Sequence, residues 1–317
     1  MSLRAFYHAN RWIAKRGISR NFSSKPPPKS SNFKYGPTAA LLGVGIAASY
    51  YFFSPDVSRS APTLADQVLS PSHFTRCTVT SSEESGPDTR LITVTVPKQS
   101  IPPASSLQPV WSVFIKDDDI QVERPYTPLE GLDSEGRMRF WIKRYPRGEV
   151  GRWLHSKKCG EDIELRGPLQ TWTWKEDTWD EVVMISGGTG ITPFYQLFHS
   201  VISRAPSTSS TRFTLLHSSK THAELPPSAI LDPLVSYGEE NPSKFQVHLF
   251  VDSSAQSSNT VALAAHVGRI GRPEIVKSLQ TDTSKSSWWN TLFGRNEKVD
   301  LGQRKILFLV CGPEPLV

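Results

Sequence analysis

Short runs of alternating apolar and polar residues dominate the chain from residue 72 onward. Residues 74–80 and 90–96 alternate on either side of Glu-Glu-Ser-Gly-Pro-Asp (83–88), and this pattern predicts a β-hairpin. Residues 110–116 and 120–123 flank Asp117, Asp118 and Asp119 and predict a second hairpin. Residues 138–143 alternate again, and 160–168 read as a last strand of the same set. Several short strands at this spacing predict a small antiparallel barrel. After Thr178 the rhythm changes. Residues 181–186, 212–217, 245–251 and 305–310 are β-rich runs with mostly apolar cores, separated by helical or loop stretches. That pattern predicts a parallel sheet with βαβ crossovers. Polar, Ser-rich or charged stretches at 205–211, 253–260 and 281–296 read as surface loops, and the boundary between the two halves falls at 170–180, among Trp172, Trp174 and Trp179.

Residues 37–53 break this pattern with no charged residue at all. At about 1.5 Å per residue they reach roughly 26 Å as a helix, the lower edge of a bilayer span. A soluble helix would show a strongly polar face. This run shows none, and a single-pass anchor is the expectation.

Charge sharpens that reading. The formal net charge is +6, yet eight of the 36 Lys and Arg precede residue 35 and no acid appears before Asp56. The remaining 28 bases stand against 30 acids, so the body is near neutral and carries no nucleic-acid signature. Residues 1–34, basic, Ser-containing and acid-free, have the composition of a mitochondrial transit peptide. Bases ahead of the span keep the N-terminus in the matrix and put the body in the intermembrane space, with the inner membrane as the site of anchoring. An outer-membrane anchor with a cytosolic body is the competing topology. The three cysteines form no CxxC pair, which argues against a disulfide framework and excludes an iron–sulfur cluster within the chain. No metal site is expected.

The most informative chemistry lies at residues 185–194, Ile-Ser-Gly-Gly-Thr-Gly-Ile-Thr-Pro-Phe. An apolar strand ends there, glycines follow, and Pro193 suits a first helical turn because its missing N–H would be unpaired anyway. Gly187, Gly188, Thr189 and Gly190 let backbone approach a diphosphate, and the helix N-terminus supplies free N–H groups. A strand, Gly-rich loop and helix in this order make a dinucleotide site. Two further segments raise its weight: Arg124-Pro125-Tyr126-Thr127-Pro128 upstream, and Cys311-Gly312-Pro313-Glu314-Pro315 near the end.

Together and in this order, the three motifs resemble those of the flavoprotein pyridine nucleotide cytochrome reductases, the group containing NADH–cytochrome b5 reductase. The similarity runs over residues 65–317. It implies a ferredoxin reductase-like architecture: an FAD-binding barrel over 65–175 and an NAD(P)-binding α/β domain over 179–317, behind the transit peptide (1–34) and transmembrane helix (37–53). It also implies FAD and NADH as cofactors, with NADPH as the alternative, and a haem protein as electron acceptor. Cytochrome b5 is one such acceptor. Another is the cytochrome c haem-attachment machinery served by a fungal mitochondrial subgroup.

On that resemblance Arg124 pairs with the FAD diphosphate, Pro125 and Tyr126 pack beside the flavin, and the Thr127 hydroxyl serves flavin N5. Glu130 stands where the family has Ser or Thr, three residues beyond Thr127. Gly148, Val150 and Gly151 open a short helix whose N–H groups hold the FAD phosphates. Gly151 replaces a family Ser, and Lys143 lies near the flavin. Thr192 and Pro193 reach towards the flavin from the nucleotide side. Cys311, with Gly312 and Pro313, sits by the nicotinamide, which makes Thr127 and Cys311 the catalytic candidates. Glu224 falls where an acid contacts the adenosine ribose 2′-hydroxyl and favours NADH, while Lys220 and His222 nearby could accept a 2′-phosphate. Family members continue past this Cys-Gly-Pro with a helix and a final strand, so a chain stopping at Val317 implies a fragment or an incomplete nucleotide domain. A flavin-binding assembly factor with a decayed nicotinamide site is the non-catalytic alternative.

Overall fold

The computed structural model describes residues 4–6, 61–170, 172–205, 209–252, 265–280 and 304–313. Two six-stranded sheets organise them. The first contains β2 (Thr75–Gly86), β3 (Thr89–Thr95), β4 (Trp111–Lys116), β5 (Glu123–Tyr126), β6 (Arg137–Lys143) and β7 (Asp162–Gln170), in the order β5-β4-β7-β2-β3-β6. Every pairing in it is antiparallel. Strand β4 alternates strictly between buried and half-buried residues, and its inward Trp111, Val113 and Ile115 meet Val79, Ile92, Phe140 and Leu165 in one apolar core. Helix α1 (Glu149–Ser156) closes that core with Val150 and Leu154.

The second sheet holds β1 (Arg4–Phe6), β8 (Glu181–Gly187), β9 (Arg212–Ser219), β10 (Phe245–Val251), β11 (His266–Val267) and β12 (Ile306–Cys311), ordered β1-β12-β8-β9-β10-β11. All its pairings are parallel except that of β1, which lies antiparallel on β12. Helices α2 (Thr192–Ser200) and α3 (Ser228–Glu240) bury residues in one core with β8, β9 and β12, and α4 (Arg272–Gln280) contributes Leu279 to another. Covered on both faces, β8 is buried along its whole length. At the start of the sheet, buried Glu181 accepts from Arg212 at 2.9 Å and also pairs with Arg304, tying β8, β9 and the approach to β12 together.

Two local expectations need correction. The stretch 83–88 is not a six-residue turn: β2 runs on to Gly86 and only Pro87 and Asp88 separate it from β3. Residues 120–122 are not strand. The extended segment starts at Glu123 and takes in Arg124, Pro125 and Tyr126, paired with β4. Proline lacks a ladder donor and so suits this strand at the sheet edge. The anchor expected at 37–53, the loops at 253–260 and 281–296, and all of the transit peptide but the three residues of β1 lie outside the described residues. Among the described residues no helix is long and apolar enough to cross a membrane.

Candidate active site

Strands β8, β9, β10 and β11 follow one another in space as in sequence, whereas β12 returns to the other side of β8. Strand order reverses there, and in open α/β sheets ligands bind beyond the carboxyl ends of the strands at such a switch point. The carboxyl end of β8 runs into the glycine loop, and that of β12 is Cys311. The two approach so closely that a Cβ on Gly190 would lie 2.1 Å from the Cys311 carbonyl oxygen, so only glycine fits. Gly188 takes a positive φ of 52° and starts the 3-10 turn to Ile191 that feeds α2, with Pro193 in its first turn.

A cavity of 670 Å³ lies between this switch point and the first sheet. Arg124, Pro125, Tyr126 and Thr127 line it from β5; Phe140, Trp141 and Lys143 from β6; Gly148, Val150 and Gly151 from the start of α1; and Thr189, Thr192, Pro193 and Cys311 from the nucleotide side. The first-turn N–H groups of α1 have no intrahelical partner and suit an anion. At Gly151 a Cβ would meet the Lys143 carbonyl at 3.1 Å, so a bare backbone fits best there. Apolar walls, cationic Arg124 and Lys143 and two helix starts match a flavin dinucleotide: ring against the aromatics, diphosphate on the N–H groups. Gly187, Gly188, Gly190, Glu224, Gly312 and Pro313 do not line this cavity. The glycines form the loop behind Thr189 and the continuation of Cys311.

Burial pushes the Cys311 thiol up to about 11, so the sulfur stays protonated and neutral. Tyr126, pushed upward by burial, is likewise a neutral phenol. Glu130, which occupies a hydroxyl position of the resembling motif, is bound in an ion pair with Arg139.

Glu224 forms an ion pair with Lys143, linking the turn after β9 to β6 of the other sheet. A second polar link across this boundary is buried and uncharged. The Trp111 N–H donates to Gln196 Oε1 at 2.8 Å, and Gln196 Nε2 donates to the carbonyls of Trp111 at 3.1 Å and Pro128 at 2.9 Å. One side chain of α2 thus holds both β4 and the end of the Arg-Pro-Tyr-Thr-Pro segment. Sequence reading passed over Gln196 because a lone glutamine on a helix carries no motif.

His217 belongs to none of the three sequence motifs. It is fully buried and hydrogen-bonded at both nitrogens: Nδ1 to Ser186 Oγ at 2.8 Å and Nε2 to Ser219 Oγ at 3.1 Å. Burial pushes its pKa down to about 3. His217 and Ser219 at alternate positions of β9, beside Ser186 at the end of β8, were the available signal.

Comparisons with known proteins agree with this geometry. Residues 76–174 match the oxidoreductase FAD-binding domain family, and residues 179–317 match the ferric reductase NAD-binding domain family. An uncharacterized FAD-binding protein of Schizosaccharomyces pombe is 37% identical over 163 residues, 51% of this chain and 58% of the relative. The match thus spans little more than half of that relative's length. NADH-cytochrome b5 reductase 2 of Yarrowia lipolytica is 27% identical over 225 residues, 70% of this chain and 75% of the relative. The same-named protein of Scheffersomyces stipitis is 26% identical over 300 residues, 94% and 88% of the two chains. Among solved structures, the cytochrome b5 reductase domain of Ulva prolifera nitrate reductase shares the fold, with a TM-score of 0.60 at 18% identity over 79% of this chain and 91% of that one.

Two outcomes test the geometry. Gln196→Leu removes three buried hydrogen bonds while keeping the bulk. Flavin should stay bound and the KM for NADH should move little, while the stopped-flow rate of flavin reduction at saturating NADH falls about 10- to 100-fold. An unchanged rate would show that α2 does not set the approach of the two sites. The second outcome concerns His217. As pH falls below the ordinary histidine value of about 6.5, the unfolded chain takes a proton that folded His217 refuses until about 3. Stability should therefore drop through that window by about 1.4 kcal/mol per pH unit from this group. In urea unfolding from pH 7 to 4.5, His217→Gln, which cannot titrate, should show a shallower decline; equal slopes would refute the assignment.

Proposed function

We infer that this chain, which belongs to the flavoprotein pyridine nucleotide reductases with an FAD-binding and a ferric reductase-type NAD-binding domain, moves a hydride from NADH to FAD and passes the electrons singly to a haem protein. The observation that carries the reading is the single cavity in which Thr127 and Tyr126 on one side face Thr192 and Cys311 on the other. Bound FAD supplies the chemistry, accepting two electrons as hydride and releasing them one at a time. The chain's own residues bind and orient. Arg124 and the start of α1 would hold phosphate charge, Tyr126 and Trp141 would form the apolar wall, and the Thr127 hydroxyl would offer a hydrogen bond to the flavin ring. The glycine loop and the start of α2 take the second diphosphate.

Cys311 contributes bulk beside the nicotinamide. Glu224, acidic at the turn after β9, favours a ribose 2′-hydroxyl over a 2′-phosphate and hence NADH. No acid–base pair is needed, because hydride moves between two cofactors. The acceptor is a haem protein of the cytochrome b5 kind; names of relatives such as the NADH-cytochrome b5 reductase 2 proteins support this choice. Haem reduction for cytochrome c maturation is the alternative suited to a body in the intermembrane space.

The same reading makes the protein mitochondrial, held in the inner membrane by residues 37–53 with its body in the intermembrane space. The basic, acid-free first 34 residues and the uncharged run behind them support this placement.

The purified full-length protein should be yellow, with bound FAD bleached anaerobically by NADH faster than by NADPH. A colourless protein after reconstitution with excess FAD would end the reductase reading, and flavin left oxidised by both nucleotides would favour a non-catalytic role. For topology, protease added to intact mitochondria should spare the body, and rupture of the outer membrane should expose it. Digestion in intact mitochondria would overturn the inner-membrane placement.

A further inference from the structure

Strand β8 ends in Ser186-Gly187 and its neighbour β9 in Ser218-Ser219, with Ser186 opposite His217 and Gly187 opposite Ser218. The ladder aligns these two strands only as far as Gly187 and Ser218. The turn that carries Glu224 then leaves the sheet, closed on itself by the Glu224 N–H to Thr221 (3.1 Å) and Leu225 N–H to His222 (3.2 Å) bonds. Two polar links from outside hold it among the described residues: the Lys143–Glu224 ion pair, from the other domain, and the Ser219 hydroxyl, which donates to the Glu224 carbonyl at 3.2 Å. The second link stays within the nucleotide domain.

The direction of that last bond fixes every other. Ser219 has one proton and gives it to Glu224, so its oxygen must accept from His217 Nε2–H at 3.1 Å. The neutral imidazole then carries its lone pair on Nδ1, which accepts from the Ser186 hydroxyl at 2.8 Å. The result is a one-way series from the strand end below the glycine loop to the backbone of Glu224, in which each side-chain proton is donated once. Ser186 and His217 are fully buried and Ser219 is nearly so, so water offers no substitute partners.

We propose that the Ser186–His217–Ser219 series is a selectivity support, which fixes the Glu224 turn relative to the glycine loop and so makes the site discriminate against a nucleotide bearing a 2′-phosphate. His217 is a positioning residue here, acting through Ser219 and Glu224. The proposal rests on the reading of Glu224 as the group at the adenosine ribose. With the series broken, the Ser219 hydroxyl is no longer oriented by His217 towards the Glu224 carbonyl, and the carboxylate loses its fixed distance from the diphosphate loop.

The test compares kcat/KM for NADH and NADPH in four variants of the full-length holoprotein. His217→Phe keeps an aromatic ring and removes both bonds. The NADH:NADPH ratio should fall about tenfold, through a raised KM for NADH, with kcat at saturating NADH little changed. His217→Gln, able to bond to both serines, should keep the ratio near that of the parent. If His217→Phe does not fold, Ser219→Ala removes the link to Glu224 together with the His217 Nε2 bond, keeps the His217–Ser186 bond, and should lower the ratio in the same direction. Glu224→Ala separates the two layers of the argument. An unchanged ratio there removes the ribose reading and the proposal with it. A changed ratio there, beside unchanged ratios in His217→Phe and Ser219→Ala, overturns the series alone. Equal losses with both nucleotides, without a change of ratio, would mark His217 as merely structural and also overturn it.

Discussion

The geometry of the site depends on how the first turns of α2 dock on the antiparallel sheet. Gln196 is 1% exposed and spends both ends of its amide on main-chain groups of the other domain, at Trp111 and Pro128. An orphaned buried main-chain donor or acceptor costs about 1–3 kcal/mol, so these contacts are strongly directional as well as stabilising. Around them the boundary is apolar. Val110, Leu129 and Trp141 of the first domain share a core with Ile191, Phe194 and Leu197 of the second. Trp172 and Trp174 of the connecting segment pack on it as well, the latter with its ring 5.4 Å from Phe213. A shared apolar core resists sliding, and an embedded amide specifies one register. Because Gln196 lies four residues beyond Thr192, and Pro128 one beyond Thr127, the same contact positions both walls of the cavity.

Polar groups placed inside apolar layers recur elsewhere in the nucleotide domain. His217 and its two serines interrupt β8 and β9 at positions where an aliphatic side chain would pack as well. Each such group needs a full set of partners to be tolerated in low dielectric. Here the requirement is met by a neutral imidazole with one tautomer, which restricts the relative placement of three segments more tightly than aliphatic packing would. The Lys143–Glu224 pair differs in kind. Both side chains are partly exposed, at 17% and 26%, so solvent screens the pair, and its partners can exchange it for phosphate or ribose contacts.

Much of this was legible in the sequence where local chemistry dictates geometry. The glycine loop, Pro193 at the helix start and the Cys-Gly-Pro after an apolar strand each encode a backbone demand that few residues satisfy. The change from alternating strands to buried runs after Thr178 marks the passage from a sheet open on one side to one covered on both. The errors were equally physical. The Gly-Pro-Asp of 83–88 predicts a turn over the whole stretch, but cross-strand pairs Glu83–Leu91 and Glu84–Arg90 carry the ladder into it and leave only Pro87 and Asp88 between the strands. The second strand of the hairpin, expected to end at 123, instead continues through Arg124, Pro125 and Tyr126, because at a sheet edge proline's missing donor costs no ladder bond. Gln196 and His217 were invisible for a different reason. Their roles arise from contacts with residues 85 and 31 positions away, and no local pattern announces a tertiary hydrogen bond.

The place of Cys311 follows from the same packing logic. A sulfur whose pKa burial pushes up to about 11 stays a neutral thiol near neutral pH, so position 311 contributes shape. Shape at this point is set from behind. The Cys311 carbonyl stands where a side chain on residue 190 would have to be, so the strand end and the glycine loop are in direct main-chain contact. A bulkier residue at 311 would be driven into the cavity, since the backbone behind it has no room to retreat. A smaller one would leave the cavity wider at this wall. The chemistry of the site therefore asks of this cysteine only its size, and asks of Gly190 that it have no side chain at all.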